Sequence, residues 1–266
     1  MEKITFPNPK LRLPEELESS TDATAARSFE YVDNYLDSIS EYVYTDIDLN
    51  FESADPIRAH AWILRAISEH LLRSLYIRNA FVEAFNSRNI FGALLALKAW
   101  SEIVGFFASI LDLLKSNLSP EDLSERFKPY ALGNKVKGDL IKFGGIEGIN
   151  VATMLEKADK YMTDLRAKSS YEPENKKADK FFTNFYDIAS NVSHPSFDIF
   201  GLVGVLEKNG VWGAKKSDKL DANIAEMLPG YSGLLSSPLF IKDICKKIFE
   251  KENDAFLHIK KQPYFT

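Results

Sequence analysis

Two sets of side chains in this sequence have the types and spacing that proton transfer or anion binding requires, and a third matches by residue type alone. Lys98-x-x-x-Glu102 sets an ammonium and a carboxylate one helical turn apart inside an otherwise apolar stretch. Tyr186-x-x-x-Ser190-x-x-x-His194-Pro195 sets a phenol, a hydroxyl and an imidazole along one side of a helix at successive i+4 steps. A histidine beside a carboxylate can move protons near neutral pH, because the carboxylate orients the ring and stabilises the imidazolium. A lysine close by would balance charge developing on a phosphate. The alternative is local: His194 bonds the last carbonyls of its helix, while Ser190 and Tyr186 bond within it. The third set, Arg65-AISE-His70, is a weaker alternative pair. Residues five apart on one helix point about 140° apart, so Arg65 is expected to pair with Glu69 in solvent while His70 packs elsewhere.

Metal and cofactor chemistry find little footing. The four histidines (60, 70, 194 and 258) show no HExxH or other close ligand spacing, and one cysteine, Cys245, allows neither an internal disulfide nor a cysteine cluster. No GxGxxG follows a strand and no GxxxxGK[ST] occurs, so a phosphate cradle has no support. Neither a metal nor a cofactor is expected.

The elements that must carry these side chains read as helices. Residues 89–114, NIFGALLALKAWSEIVGFFASILDLL, are apolar on almost every side, as in a helix buried by neighbours on several faces. Such a helix spans roughly 40 Å. Lys98 and Glu102 near its middle argue against a membrane span. Lys98, Ser101, Glu102, Gly105, Ser109 and Asp112 fall on one narrow stripe, which is either its solvated face or the polar lining of a site. Around it the periodicity predicts helices near 23–45, 56–85, 150–167 and 176–194, with a short one opened by Ser119-Pro120. Asp55-Pro56 is a strong start for the second, and the polar turn 86–89 should return the central helix antiparallel to it. Phe181, Phe185, Ile188 and Val192 are expected to face the core from the helix that carries Tyr186. The glycines of 128–150 indicate a loop or broken helix, the charged stretch 168–180 a surface loop, and Asn209-Gly210 a hairpin within 199–216. A final amphipathic helix follows at about 237–257.

The fold class expected is therefore all-α: a multi-helix bundle around a buried central helix (about 89–115), with a small C-terminal β-hairpin and a final helix. Residues 1–22, with Pro7, Pro9 and Pro14, form an extended arm; 23–198 form the bundle; 199–266 carry the hairpin and last helix docked on it. A hydrophobic content of 45% excludes wholesale disorder. The formal charge of −5 gives no global reason to bind nucleic acid or an anionic membrane, and leaves only a local basic groove open. The first ten residues lack the apolar core of a signal peptide, which fits a cytoplasmic protein.

The order ALLALKAWSE, NVATMLEKADKYM, FYDIASNVSHPS resembles a group of uncharacterised bacterial helical proteins with R-x-x-x-E on a buried helix and a later Y-x-x-x-S-x-x-x-H-P. That group is similar to HEPN-type domains, many of which are ribonucleases or accessory parts of toxin and defence systems. The resemblance covers roughly residues 60–205. Lys98 stands where the pattern has arginine, which removes the planar bidentate fork. The resemblance implies a metal-independent RNA-cleaving or nucleotide-acting domain. His194 would be general acid/base, Glu102 would orient it, Lys98 would stabilise phosphate charge, and Ser190 and Tyr186 would position substrate. The other reading is a non-catalytic interaction or regulatory module, dimeric in one version, that uses the same seam as a structural network or ligand pocket. RNA or a nucleotide and a second copy of the chain are the partners these readings bring; a membrane is not among them.

Overall fold

A computed structural model describes residues 6–12, 23–52, 55–131, 149–168, 180–193, 204–206, 212–214 and 234–265, and these are mostly helical. The organising corner is a helical hairpin. Two shorter helices precede it in the chain; its own are α3, Arg58–Asn86, and α4, Ile90–Leu114. Asp55 starts α3 as expected, with a shift of two residues: its Oδ1 accepts from the Ile57 amide at 2.8 Å, so Asp55-Pro56-Ile57 is the lead-in turn. At the far end the Asn89 amide reaches the Ala84 carbonyl (2.8 Å) and the Arg88 amide reaches that of Phe85 (2.9 Å). Arg88 takes the left-handed conformation (φ 60°) that this helix-ending motif requires. Asn89 then caps α4, its Oδ1 accepting from Gly92 at 3.0 Å. Gly92 is needed there, since a Cβ would meet Ala84 Cβ at 3.0 Å.

Helix α4 is buried along most of its length, with Leu94, Leu97, Trp100, Val104, Phe107 and Leu111 in the core. It touches α3 and also α5 (Pro120–Ala131), α6 (Val151–Lys168), α7 (Phe181–Ser193) and α8 (Ser237–Leu257). By length and composition α4 could cross a membrane, but 78% of its most apolar window is buried against the rest of the chain. Helix α8 adds Ile241, Ile244, Cys245 and Ile248 to the same core. Arg58, Arg65, Glu69, Arg73 and Glu83 form the solvated face of α3.

The first helix departs from expectation. In place of one helix over 23–45 there are α1 (Ala23–Asp33), α2 (Tyr35–Ile39), a 3-10 turn (Ser40–Tyr42) and a strand, β1 (Tyr44–Ile47). Ser38 and Ser40 turn their hydroxyls onto the carbonyls of Tyr35 and Asp37 (2.8 and 3.1 Å), which competes with helix continuation. The following Val43-Tyr44-Thr45 favours extended backbone. It finds a partner in β4 (Lys261–Pro263), antiparallel, with Asp46 opposite Gln262 and Ile47 opposite Lys261. Two short strands, β2 (Gly204–Leu206) and β3 (Trp212–Ala214), pair antiparallel with Leu206 opposite Trp212, while the expected Asn209-Gly210 turn lies outside the described residues.

Residues 6–12 of the arm lie along α1 and α3. Phe6 is buried edge-on against Tyr76, Asn79 donates to the Pro7 carbonyl (2.6 Å), and Asn86 pairs with the backbone of Lys10 and Arg12 (2.8 Å each). Beneath them Arg78, 1% exposed, donates to the Val32 carbonyl (2.9 Å) and faces Asp33 at 3.4 Å. The glycine-rich residues 132–148, the charged residues 169–179 and His194 lie outside the described residues, and with them the expectations that fall there.

Candidate functional site

The polar stripe of α4 is neither a plain solvated face nor one continuous site. Its middle is covered by α6: Ser101 and Ser109 are buried, and a Cβ at Gly105 would stand 3.0 Å from the Met154 carbonyl carbon. The Ser101 hydroxyl is used locally, donating to the Lys98 carbonyl at 2.7 Å. Both ends of the stripe stay half-buried. One end, Asp112, pairs with Lys157 of α6 at 2.5 Å. The other, Lys98 and Glu102, faces α7.

Helix α7 reaches that position through a carboxylate on its neighbour. Asp159 of α6, 4% exposed, accepts from the Phe182 amide at 2.7 Å, from the Thr183 amide at 3.2 Å and from the Thr183 hydroxyl at 2.6 Å. It thus satisfies amides at the start of α7 that have no partner within the helix. Phe182, Phe185 and Ala189 then point into the core. Ile188 does not: it is 52% exposed, because the inward stripe runs 182-185-189 and leaves 188 on a flank. Phe181 is only half-buried.

On the opposite flank Tyr186 and Ser190 meet α4. The Lys98 ammonium stands 4.8 Å from the centre of the Tyr186 ring, a cation–π arrangement. Glu102 and Ser190 both lie within reach of the Tyr186 hydroxyl and act on it. Burial, then the Glu102 charge, raise the phenol above its ordinary range, against a smaller lowering by Ser190. At neutral pH Tyr186 therefore keeps its proton. Four of the five residues expected to share one seam are together, from two different helices. The fifth, His194, lies outside the described residues.

Arg65 and His70 are not brought together. Arg65 is exposed, donates to Glu69 at 2.8 Å and lies over Trp62 at 5.2 Å. His70 donates through Nδ1 to the Ala66 carbonyl at 2.9 Å and stacks on Phe106 with ring centres 3.7 Å apart. Burial lowers its pKa, so the ring is neutral at pH 7. Their separation around the helix explains the divergence.

Other constellations carry no local signal. His60 of α3 and Glu252 of α8 form a histidine–carboxylate pair at 3.0 Å, 192 positions apart in the chain. Tyr161 of α6 bonds Asp243 of α8, and Lys247 bonds both, at 2.5 Å to the phenol and 2.6 Å to the carboxylate. Burial raises the Tyr161 phenol, as does its bond to Asp243. Burial works against the Asp243 charge, but Lys247 and Tyr161 more than offset it and hold the carboxyl below its ordinary range. Among the described residues no three His, Cys, Asp or Glu side chains group as a metal site. Comparisons with protein-family models, with curated proteins and with solved structures found no match, so the HEPN resemblance rests on its own motifs.

Proposed function

We propose that the seam of Lys98, Glu102, Tyr186 and Ser190 is a site for RNA or a nucleotide in a HEPN-like helical protein of the bacterial toxin and defence kind. The observation that carries this is the convergence of an ammonium, a carboxylate, a phenol and a hydroxyl from two helices at a place that is half-buried, and so open to solvent on one side. In this reading the helices form one bundle around α4, with the hairpin and α8 docked on it, in a cytoplasmic protein. His194, from its spacing after Tyr186 and Ser190, is the general acid/base that Glu102 orients. Lys98 balances charge building on a phosphate, and Tyr186 and Ser190 hold substrate through hydroxyl hydrogen bonds.

Cleavage of a fluorogenic oligoribonucleotide tests the reading. Glu102→Gln and His194→Ala should each reduce the rate about 100-fold or more, with melting temperatures within a few degrees of the parent. Parent-like rates in both variants, or a parent chain inert toward RNA and nucleotides, would refute it. One observation favours a second reading. The groups of the seam already engage one another, Lys98 with the Tyr186 ring and Tyr186 with Glu102, as in the network of a non-catalytic interaction or regulatory module, dimeric or not. There, Glu102→Gln and Tyr186→Phe lower stability and change no ligand.

A further inference from the structure

The N-terminal arm is held in a groove between α1 and α3 by side chains that read its backbone. Asn79 donates to the Pro7 carbonyl at 2.6 Å. Asn86, two turns further along α3, donates to the Lys10 carbonyl and accepts from the Arg12 amide, both at 2.8 Å. Asp33, the last residue of α1, accepts from the Leu11 amide at 3.0 Å, and its carbonyl takes the Lys10 ammonium at 2.8 Å. The spacing of the readers matches what they read. From Asn79 to Asn86 the helix advances about 10.5 Å, and from Pro7 to Lys10 an extended proline-rich segment advances about 9 Å. One buried guanidinium sets these side chains. Arg78 donates to the Asn79 Oδ1 at 2.9 Å, which turns the Asn79 amide nitrogen toward the arm, and faces the Asp33 Oδ1 at 3.4 Å.

These contacts select a class of ligand. Four of them go to main-chain atoms and so accept any extended segment. Pro7 and Pro9, which have no N–H, stand where none of the four needs one. Side-chain identity enters at two places. Phe6 is buried edge-on against Tyr76 with ring centres 5.0 Å apart, and the Lys10 ammonium meets the negative C-terminal end of α1. The arm is also an imperfect occupant. Asn8 Oδ1 is buried without a hydrogen-bond partner among the described residues, a cost that an apolar side chain at that place avoids. Tyr76, which holds Phe6, stays 63% exposed, so apolar surface beside the groove is left uncovered.

We infer that the α1–α3 groove is a docking site for an extended segment of a partner protein, ordered aromatic–Pro–x–Pro–Lys/Arg with x apolar, and that the arm fills it until such a segment displaces it. A second copy of the chain brings only the same arm with the same unpaired Asn8 Oδ1. It would also have to compete with a tethered copy, whose effective concentration is on the order of millimolar. A partner with an apolar x gains where the arm loses. The groove uses no residue of the Lys98–Tyr186 seam, so this goes beyond the seam reading and stands without it.

Fluorescein-labelled peptides of residues 4–12, with and without Asn8→Leu, test this by anisotropy against the full chain. The unsubstituted peptide should bind the Phe6→Ala chain, whose own arm has lost its anchor, at least about tenfold more tightly than it binds the parent, because the open groove is then more populated. Arg12→Pro removes the amide that Asn86 reads, at an exposed position, and should give the same order, which keeps the test decisive if Phe6→Ala fails to fold. Asn79→Ala with Asn86→Ala, added to either arm variant, should weaken binding about tenfold or more, since three hydrogen bonds go. Asn8→Leu in the peptide should tighten it severalfold. At about 1 mM, the order of the arm's effective concentration, that peptide should displace the arm of the parent chain, read as faster hydrogen exchange at the chain's own Leu11 and Arg12 amides. The inference is overturned if neither arm variant binds peptide, or if the Asn79 and Asn86 substitutions leave binding unchanged. It is equally overturned if Asn8→Leu weakens binding or fails to displace the arm. Self-association of the parent chain in sedimentation, lost in Arg12→Pro, would give the groove to the arm of a second copy and overturn the partner-protein reading. Glu102→Gln should leave peptide binding unchanged, so failure of the seam reading and failure of this one are read separately.

Discussion

Removing the Asp159 carboxylate should loosen one helix selectively. Asp159→Ala takes away the acceptor of three hydrogen bonds and leaves the Phe182 amide, which is buried, without its partner. Hydrogen bonds to a charged group contribute about 1.5–3 kcal/mol each, but three bonds to one carboxylate do not add. Loss of an ordinary helix cap costs about 1 kcal/mol, up to about 2. Burial at 4% exposure and the orphaned amide place this case higher, at about 3 kcal/mol. For a domain of this size that corresponds to a melting temperature lowered by about 6–12 °C. Asp159→Asn keeps the Oδ1 acceptor and presents an amide to the Thr183 donors, so it should fall between parent and alanine variant. Thr183→Ala, losing only the 2.6 Å hydroxyl bond, should cost about 1 kcal/mol. The assay is urea unfolding with constant m-value, together with hydrogen exchange of the α7 amides. A loss below about 1 kcal/mol for Asp159→Ala, or exchange unchanged in α7, would refute the idea that α7 is anchored through this residue.

Gly105→Ala should cost about 1–3 kcal/mol in the same melts, because its Cβ meets backbone atoms of Met154 at 3.0 and 3.1 Å and α6 must shift; a neutral substitution would mean that the α4–α6 crossing is looser than described. Phe106→Ala should cost about 3–5 kcal/mol and free the His70 ring, whose titration by NMR should move up toward the ordinary histidine value as burial lifts. Arg88→Gly should stabilise by about 0.5 kcal/mol, since glycine adopts the left-handed conformation without the Cβ penalty; a loss would contradict that backbone. Asp112 is held below the ordinary carboxylate range, chiefly by its hydrogen bond to Lys157. A depressed acid stabilises the fold above its unfolded pKa, near 3.9, and that contribution disappears as pH falls through the lower folded value. The stability gap between parent and Asp112→Asn should therefore shrink as pH falls below about 4, and a gap constant from pH 6 to pH 2 would count against the pairing.

What the sequence makes legible here is what repeats within a turn or two. The apolar stretch containing Trp100, Val104 and Phe107 announces a buried helix, and the meeting of Lys98 and Glu102 with Tyr186 and Ser190 follows because each helix offers one polar seam to its neighbour. Asn89 is readable as a cap and Asp55 as the turn that leads into α3, because their targets are three and two residues away. Illegible are the features settled by chain segments far apart. Asp159 caps a helix that begins 22 positions later, and nothing near Asp159 announces it. His60 and Glu252 look like isolated charges until α3 and α8 are laid together. Ile188 matches a core residue by type and by spacing from Phe181 and Phe185, yet the packing of α7 on α4 and α6 selects the adjacent stripe. Residues 40–45 carry helical periodicity, which local serine bonds and a distant strand together override.

The β1–β4 ribbon implies a hierarchy of opening. Tyr44 and Pro263 enclose about 220 residues, and closing a loop of that length from an unstructured chain costs on the order of 5 kcal/mol. Three residue pairs cannot repay such a cost, and an isolated two-stranded ribbon is marginal even with a tight turn. The ribbon therefore depends on α3 and α8 having already brought its two strands side by side, and its own opening needs no disturbance of theirs. The amides of Asp48 and Tyr264, bonded to the carbonyls of Lys260 and Val43, should exchange with solvent through a small local opening, while those of α4 wait for global unfolding. The chain thus behaves as a core that persists with a clasp that comes and goes.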